Sequence, residues 1–220
     1  MPISGEWFTP TGLNFNAIHV RAKTEWVHLA LSDGNGIVGQ GEITSTQLAR
    51  DVAPVVARLA NNLRGRRLTD DTDVITFNNL SVEQLEEDQN LATAVSGLRC
   101  AVADALSQLL QVPMVDYLRE LYDHEGKADR RVQLYSNINR SMLPDDNGAV
   151  DRSPDSFAEM AQRAMEDWFT TAKCAPFDEA RAPFSKTGLP REAEMGLDRI
   201  RAAKAIIGLD RKLLVDCHSR

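Results

Sequence analysis

Two hydrophobic rhythms alternate along this chain, and the change from one to the other divides it. Trp26 to Leu31 reads as a strand, Asp33-Gly34-Asn35-Gly36 supplies hairpin-turn chemistry, and Ile37 to Ile43 reads as the returning strand. Helical spacing follows. From Thr46 the residues Leu48, Val52, Val55, Val56, Leu59 and Leu63 share one side up to Gly65, and between Glu83 and Gln111 the residues Leu91, Val95, Leu98, Val102, Ala105 and Leu109 recur at threes and fours. Pro113 stops that helix, Met114 to Leu121 forms a short further one, and the polar segment His124 to Arg131 reads as a linker.

Beyond the linker the units repeat. Val132 to Asn137 reads as a strand, and Ser153-Pro154 opens a helix running to Trp168, with Ser as cap and Pro at the first position. Phe169 to Cys174 is a second strand, Glu192 to Ile207 a second helix, and Lys212 to Val215 a third, buried strand. Strand, helix, strand, helix, strand implies right-handed parallel crossovers. The expected organisation is an α+β domain over residues 1–128, followed over 129–220 by the first βα units of a (β/α) barrel. Such a barrel takes about 250 residues, so three strands leave it incomplete, and the chain is expected to be the front part of a longer protein or a truncated reading frame, inactive by itself.

Composition removes some classes of function. A net charge of -7 argues against nucleic acid as a partner, because phosphate binding needs a basic face. No apolar run approaches the ~18 residues of a membrane span, and the start Met1-Pro2-Ile3-Ser4-Gly5-Glu6 lacks a basic region followed by an apolar one. Three cysteines, Cys100, Cys174 and Cys217, suit a reducing compartment, so the expected location is cytoplasmic. Gly34 to Gly39 matches the dinucleotide fingerprint in form only, because a strand follows where the phosphate site needs a helix N-terminus. An EF-hand fails there too, since Ile37 stands where an oxygen ligand is required.

The chemistry gathers at the strand ends, where parallel α/β proteins place their sites. Asp216 follows the third strand, a carboxylate suited to a hard cation or to capping a following helix. His218 lies two residues on, which in an extended chain puts it on the same side. Lys173 lies on the second strand, and Asn137, Asn139 and Arg140 end the first. Cys174 and Cys217 fall one residue after Lys173 and Asp216, turned away from the mouth, and read as buried small hydrophobes.

The ending Asp216-Cys217-His218-Ser219-Arg220, the Gly39-Gln40-Gly41-Glu42 hairpin, Ser96-Gly97-Leu98 and Lys173 together resemble the enolase superfamily. The similarity is to its mandelate racemase-like branch, and the Asp-x-His-x-Arg ending is similar to the acid-sugar dehydratases within it. The resemblance implies a capping domain before the barrel, Mg²⁺ as cofactor, Asp216 as the first of three carboxylate ligands, and a small carboxylate or acid-sugar substrate. It implies a homo-oligomer, with neither nucleic acid nor membrane as partner. It also implies that His218 protonates the leaving hydroxyl, that Lys173 stabilises a carboxylate or enolate and that Arg220 holds a substrate carboxylate or hydroxyl, while Asn137, Asn139 and Arg140 at the end of the first strand are candidates, from their position, to reach a sugar hydroxyl or simply to be solvated. Where the family often has Lys-x-Lys, this chain has Lys173-Cys174-Ala175, which leaves no second lysine to act as base. Loops of the capping domain, corresponding to Pro10 to Thr24 and Thr44 to Arg50, would bring His19, Arg21 and Lys23 to the substrate. The implied activity is dehydration of an aldonate-type acid. A racemase, epimerase or cycloisomerase of the same superfamily, or a non-catalytic interaction module, are the alternatives.

Overall fold

The computed structural model describes residues 5–21, 24–44, 49–122, 131–139, 151–180 and 191–218. It resolves into two compact units, Met1–Asp129 and Arg130–Arg220.

The first unit is a three-stranded antiparallel sheet in the order β1-β2-β3 (Gly12–Arg21, Thr24–Ser32, Val38–Glu42) packed on helices. The helices are α1 (Ala49–Leu63), α2 (Asp73–Phe77), α3 (Val82–Glu87), α4 (Gln89–Leu109) and α5 (Met114–Leu121). In β2 the period-two rule is strict: Val27, Leu29 and Leu31 are buried while Trp26 is half exposed. Helix α1 buries Val52, Val56, Leu59 and Leu63 on one stripe. No described helix is long and apolar enough to cross a membrane.

Two features differ from the sequence expectation. The stretch taken for a substrate loop, Pro10 to Thr24, contains the ten-residue strand β1, paired with β2 from Gly12 opposite Ser32 to His19 opposite Glu25. Asn14 and Asn16 weaken its intrinsic strand signal, and the long ladder to β2 overrides that weakness. The helix expected to run unbroken from Glu83 is two helices. Asp88 adopts an extended conformation, and its carboxylate accepts from the backbone N–H groups of Asn90 and Leu91, so it caps α4. Ser81 and Gln84 form a capping box at the start of α3.

The contact between β3 and α4 explains the glycines. A Cβ on Gly39 would stand 1.9 Å from the carbonyl oxygen of Ala101, and one on Gly41 2.1 Å from that of Gly97. A Cβ on Gly97 would lie 2.3 Å from the Ile43 side chain. Strand and helix therefore meet backbone to backbone, and polar bonds lock the approach. The Gln40 N–H donates to Asp104 Oδ2 at 2.8 Å, and the Gln108 amide donates to the Val38 carbonyl at 2.9 Å.

The second unit is a parallel sheet in the order β4-β5-β6 (Ser136–Asn137, Thr171–Cys174, Lys212–Val215) with α6 (Pro154–Glu166) and α7 (Glu194–Ile207) packed together. Ser153 caps α6 through its hydroxyl, with Pro154 at the first position as expected. A small core of Phe157, Ala161, Ala164, Ala172, Cys174, Ala203 and Ile207 joins sheet and helices. Strand β4 is only two residues long, because Val132 and Leu134 make no ladder and stand largely exposed. Strand β6 is not buried as expected. It is an edge of this sheet: Leu213 packs on the core, whereas Leu214 and Val215 are exposed.

Because the groups facing Gly39 and Gly41 are backbone carbonyls, no rotamer change makes room for a methyl. Gly41→Ala is expected to destabilise the first unit by about 3 kcal/mol or more in urea denaturation. Gly5→Ala, where nothing lies within 4 Å, stays within about 0.5 kcal/mol of the wild type. A Gly41→Ala midpoint equal to that of the wild type would contradict the close approach.

Candidate active site

The register of the parallel sheet builds the site. Lys173 lies opposite Leu214 and Cys174 opposite Val215. The ladder then continues one residue past β6, as the Asp216 N–H donates to the Cys174 carbonyl at 2.8 Å. Asp216 is thus fixed at the C-terminal edge, and its Oδ2 lies 3.0 Å from Lys173 Nζ. The chain turns sharply there. The His218 N–H donates back to Asp216 Oδ1 at 3.1 Å, and His218 takes a left-handed φ of 47°. This turn returns the imidazole over the carboxylate, with Nε2 3.3 Å from Asp216 Oδ2. The two residues share one side as expected, through a side-chain-closed turn and not through an extended strand.

Lys173 also lies 5.8 Å from the centroid of the Tyr135 ring. Asn137, opposite Lys173 in the β4–β5 register, and Asn139 line a recess of about 260 Å³ with Lys173, Asp216 and His218. An adjoining recess is lined by Asn139, Phe177, Asp178, Asp216, Cys217 and His218. Five polar side chains from the ends of three neighbouring strands therefore converge.

The electrostatics follow from the ion pair. Lys173, hydrogen-bonded to Asp216, holds that carboxyl below its ordinary value, and the His218 backbone N–H adds to the effect. The same bond raises Lys173. Burial pushes the Cys174 thiol up to about 11, as expected of a buried, inert cysteine. Cys217, expected to be buried, is exposed.

Two arginines fasten the loops around this mouth, and sequence reasoning missed both. Arg199 of α7 is buried. It donates from Nε to the Arg152 carbonyl at 2.6 Å, from Nη1 to the Pro176 carbonyl at 2.7 Å, and bidentately to Glu179, whose carboxyl it holds below the ordinary range. Arg152 in turn donates to Asp178, to Asn139 Oδ1 and to the Ala175 carbonyl. Both guanidiniums lie near the Phe157 ring, at 5.2 and 5.7 Å from its centroid. Phe177 packs where Gly196 of α7 leaves space for its ring. A signal existed for Arg199: it falls in the buried stripe Gly196, Arg199, Ala203, Ile207, where a charged residue needs partners.

His19 and Arg21 are on β1 of the first unit, opposite Glu25 and Thr24, and the Arg21 side chain is outside the described residues, as are Lys23, Arg140 and Arg220. No group of three or more His, Cys, Asp or Glu side chains among the described residues is arranged to hold a metal ion. Asp216 offers one carboxylate, already engaged by Lys173 and His218, whereas Mg²⁺ demands octahedral oxygen ligation. The described residues therefore do not by themselves fit Mg²⁺.

No protein-family model matches the chain, and no curated protein matches it. Solved structures do. A mandelate racemase/muconate lactonizing enzyme from Sulfitobacter sp. superposes with a TM-score of 0.74 at 19% identity, over 97% of this chain and 53% of that one. A proposed dehydratase from Salmonella enterica serovar Typhimurium gives 0.72 at 19% identity, over 94% of this chain and 56% of that one. A member of the enolase superfamily from Salmonella Typhimurium gives 0.67 at 17%, over 96% and 55%. The chain spans about half the length of the structures it matches. Its fold is that of the N-terminal half of enolase-superfamily proteins: a small α+β unit followed by the first parallel strands and helices of the next.

The ion pair has a defined pH window. Asp216, depressed, contributes above the ordinary value of 3.8 and is lost as pH falls through its lowered one; Lys173, raised, contributes below 10.5 and is lost as pH rises through its raised one. Lys173→Met is expected to move the Asp216 carboxyl titration, followed by carbon NMR, upward toward 3.8. An unchanged midpoint would show that the pair does not form.

Proposed function

We propose that this chain belongs to the mandelate racemase-like branch of the enolase superfamily and that the protein carrying it dehydrates an aldonate-type acid sugar. The observation that carries this reading is the grouping of Lys173, Asp216 and His218 within 3.3 Å contacts at the ends of adjacent parallel strands, in a fold shared with that superfamily. An ammonium, a carboxylate and an imidazole at one mouth form a set suited to elimination next to a carboxylate.

The roles follow from the groups. The Lys173 ammonium attracts the substrate carboxylate and stabilises the negative charge that develops on it as the neighbouring C–H proton leaves. Asp216 orients both cation and imidazole. His218 gives its proton to the β-hydroxyl, the C–O bond breaks with its electrons going to oxygen, water departs, and the enol collapses to a 2-keto-3-deoxy acid. Ala175 stands where a second lysine could have taken the α-proton, so the base is not assigned to the described residues. Mg²⁺ is the cofactor the resemblance implies, and the described residues do not by themselves hold it.

The test is product analysis. With a panel of aldonates in deuterated water, the longer protein that carries this chain is expected to form keto acid. His218→Asn should lower that rate by about a hundredfold or more while α-hydrogen exchange continues, because only the acid for the leaving group is lost. Exchange or racemisation by the wild type without any keto acid would instead indicate the racemase or epimerase reading. Equal keto-acid formation by wild type and variant would remove His218 from the chemistry.

A further inference from the structure

Arginine has five N–H donors and no acceptor. Whatever atom of a neighbouring amide faces a guanidinium must therefore be the oxygen, and this settles the orientation of an asparagine in the mouth. Arg152 Nη2 lies 2.8 Å from Asn139 Oδ1, and the same guanidinium holds Asp178 and the Ala175 carbonyl. The Asn139 amide cannot turn over without bringing its NH2 against that cation. Among the described residues its Nδ2 has no hydrogen-bond partner, and Asn139 lines both recesses beside Asp216 and His218.

The anchoring is itself anchored. The Arg152 backbone is held by Arg199, a buried residue whose other donors are taken up by the Pro176 carbonyl and by Glu179. Arg152 thereby ties the loop after β4 to the loop after β5, and neither its position nor its charge is free to relax. Its side chain is largely enclosed, with Nη1 buried and unpartnered near Phe157, so it presents no open donor edge to solvent from that atom. What reaches the recess is the asparagine.

We propose that Arg152 is a positioning residue that presents the Asn139 NH2 to the mouth as a fixed donor for a hydroxyl or carboxylate oxygen of the bound hydroxy acid. Together with the Lys173 ammonium this makes the recess one that selects ligands rich in acceptor oxygens. The inference rests on the acid-sugar reading for the class of ligand, and on the arginine chemistry alone for the orientation.

Asn139→Asp tests it, because the carboxylate still accepts from Arg152 and preserves the fold while the NH2 is lost. Asn139→Leu removes the donor without adding charge. D-gluconate is the probe, with its affinity measured by calorimetry on the full protein in magnesium-containing buffer. Asn139→Asp is expected to melt as the wild type does, and both variants to bind gluconate about tenfold more weakly or worse, the usual effect of losing a hydrogen bond to a charged group. Arg152→Lys, which keeps the charge and loses the fork, should weaken binding in the same direction. Nuclear Overhauser contacts in the unliganded wild type should run from the Asn139 side-chain NH2 to His218 protons and not to the Arg152 guanidinium. Gluconate affinity unchanged in both Asn139 variants, or an NH2 that faces Arg152, would overturn the inference. A correctly oriented amide in a wild-type protein that binds no hydroxy acid would count against the acid-sugar reading and the donor role together, whereas a reversed amide would count against the inference alone.

Discussion

One backbone hydrogen bond decides where Lys173, Asp216 and His218 meet. The Asp216 N–H donates to the Cys174 carbonyl and so extends the β5–β6 ladder one residue beyond the strand. A slip of a single residue in that ladder would send Asp216 to the opposite face. In the observed register its carboxylate meets Lys173, and the turn it closes with its own side chain returns His218 over it. The carboxylate is thus at once the partner of the lysine, the cap of the turn and the support of the imidazole.

Around this edge ionic forks hold the loops, together with the packing of Phe177 on Gly196. Among the described residues, the core of the second unit is mostly small, with Phe157 as its one fully buried large aromatic. Arg199 and Arg152 take up backbone carbonyls that no strand or helix pairs, together with Asp178, Glu179 and Asn139. Removing one partner of a buried pair costs far more than such a pair contributes, because the remaining charge stays buried. The first unit solves the opposite problem with glycines. Gly39, Gly41 and Gly97 let β3 and α4 approach without intervening side chains, and Asp104 and Gln108 satisfy the strand groups left at that contact.

Much of this was legible in the residues. Lys212 to Val215 announced a strand, so Asp216 and His218 were placed at its end, and the strand ending at Cys174 placed Lys173 beside them. The mechanism of their meeting was not legible, because a side-chain-closed turn with a left-handed histidine leaves no mark in hydrophobic spacing. Strand β1 escaped because its alternation passes through asparagines, and its existence depends on β2 lying alongside. The break at Asp88 escaped because apolar spacing carries on across it, and only a local hydrogen bond ends one helix there. Arg152 reaches its partners 13 to 26 positions away, and no local pattern encodes such distances.

The edge formed by Lys173, Asp216 and His218 is the proposed seat of an aldonate carboxylate. Differential acylation of lysines with acetic anhydride, quantified by mass spectrometry of peptides with and without a saturating aldonate, tests it most directly. The aldonate is expected to protect Lys173 selectively, leaving Lys204 and Lys212 labelled as before. Labelling of Lys173 that is the same with and without a bound aldonate would contradict it.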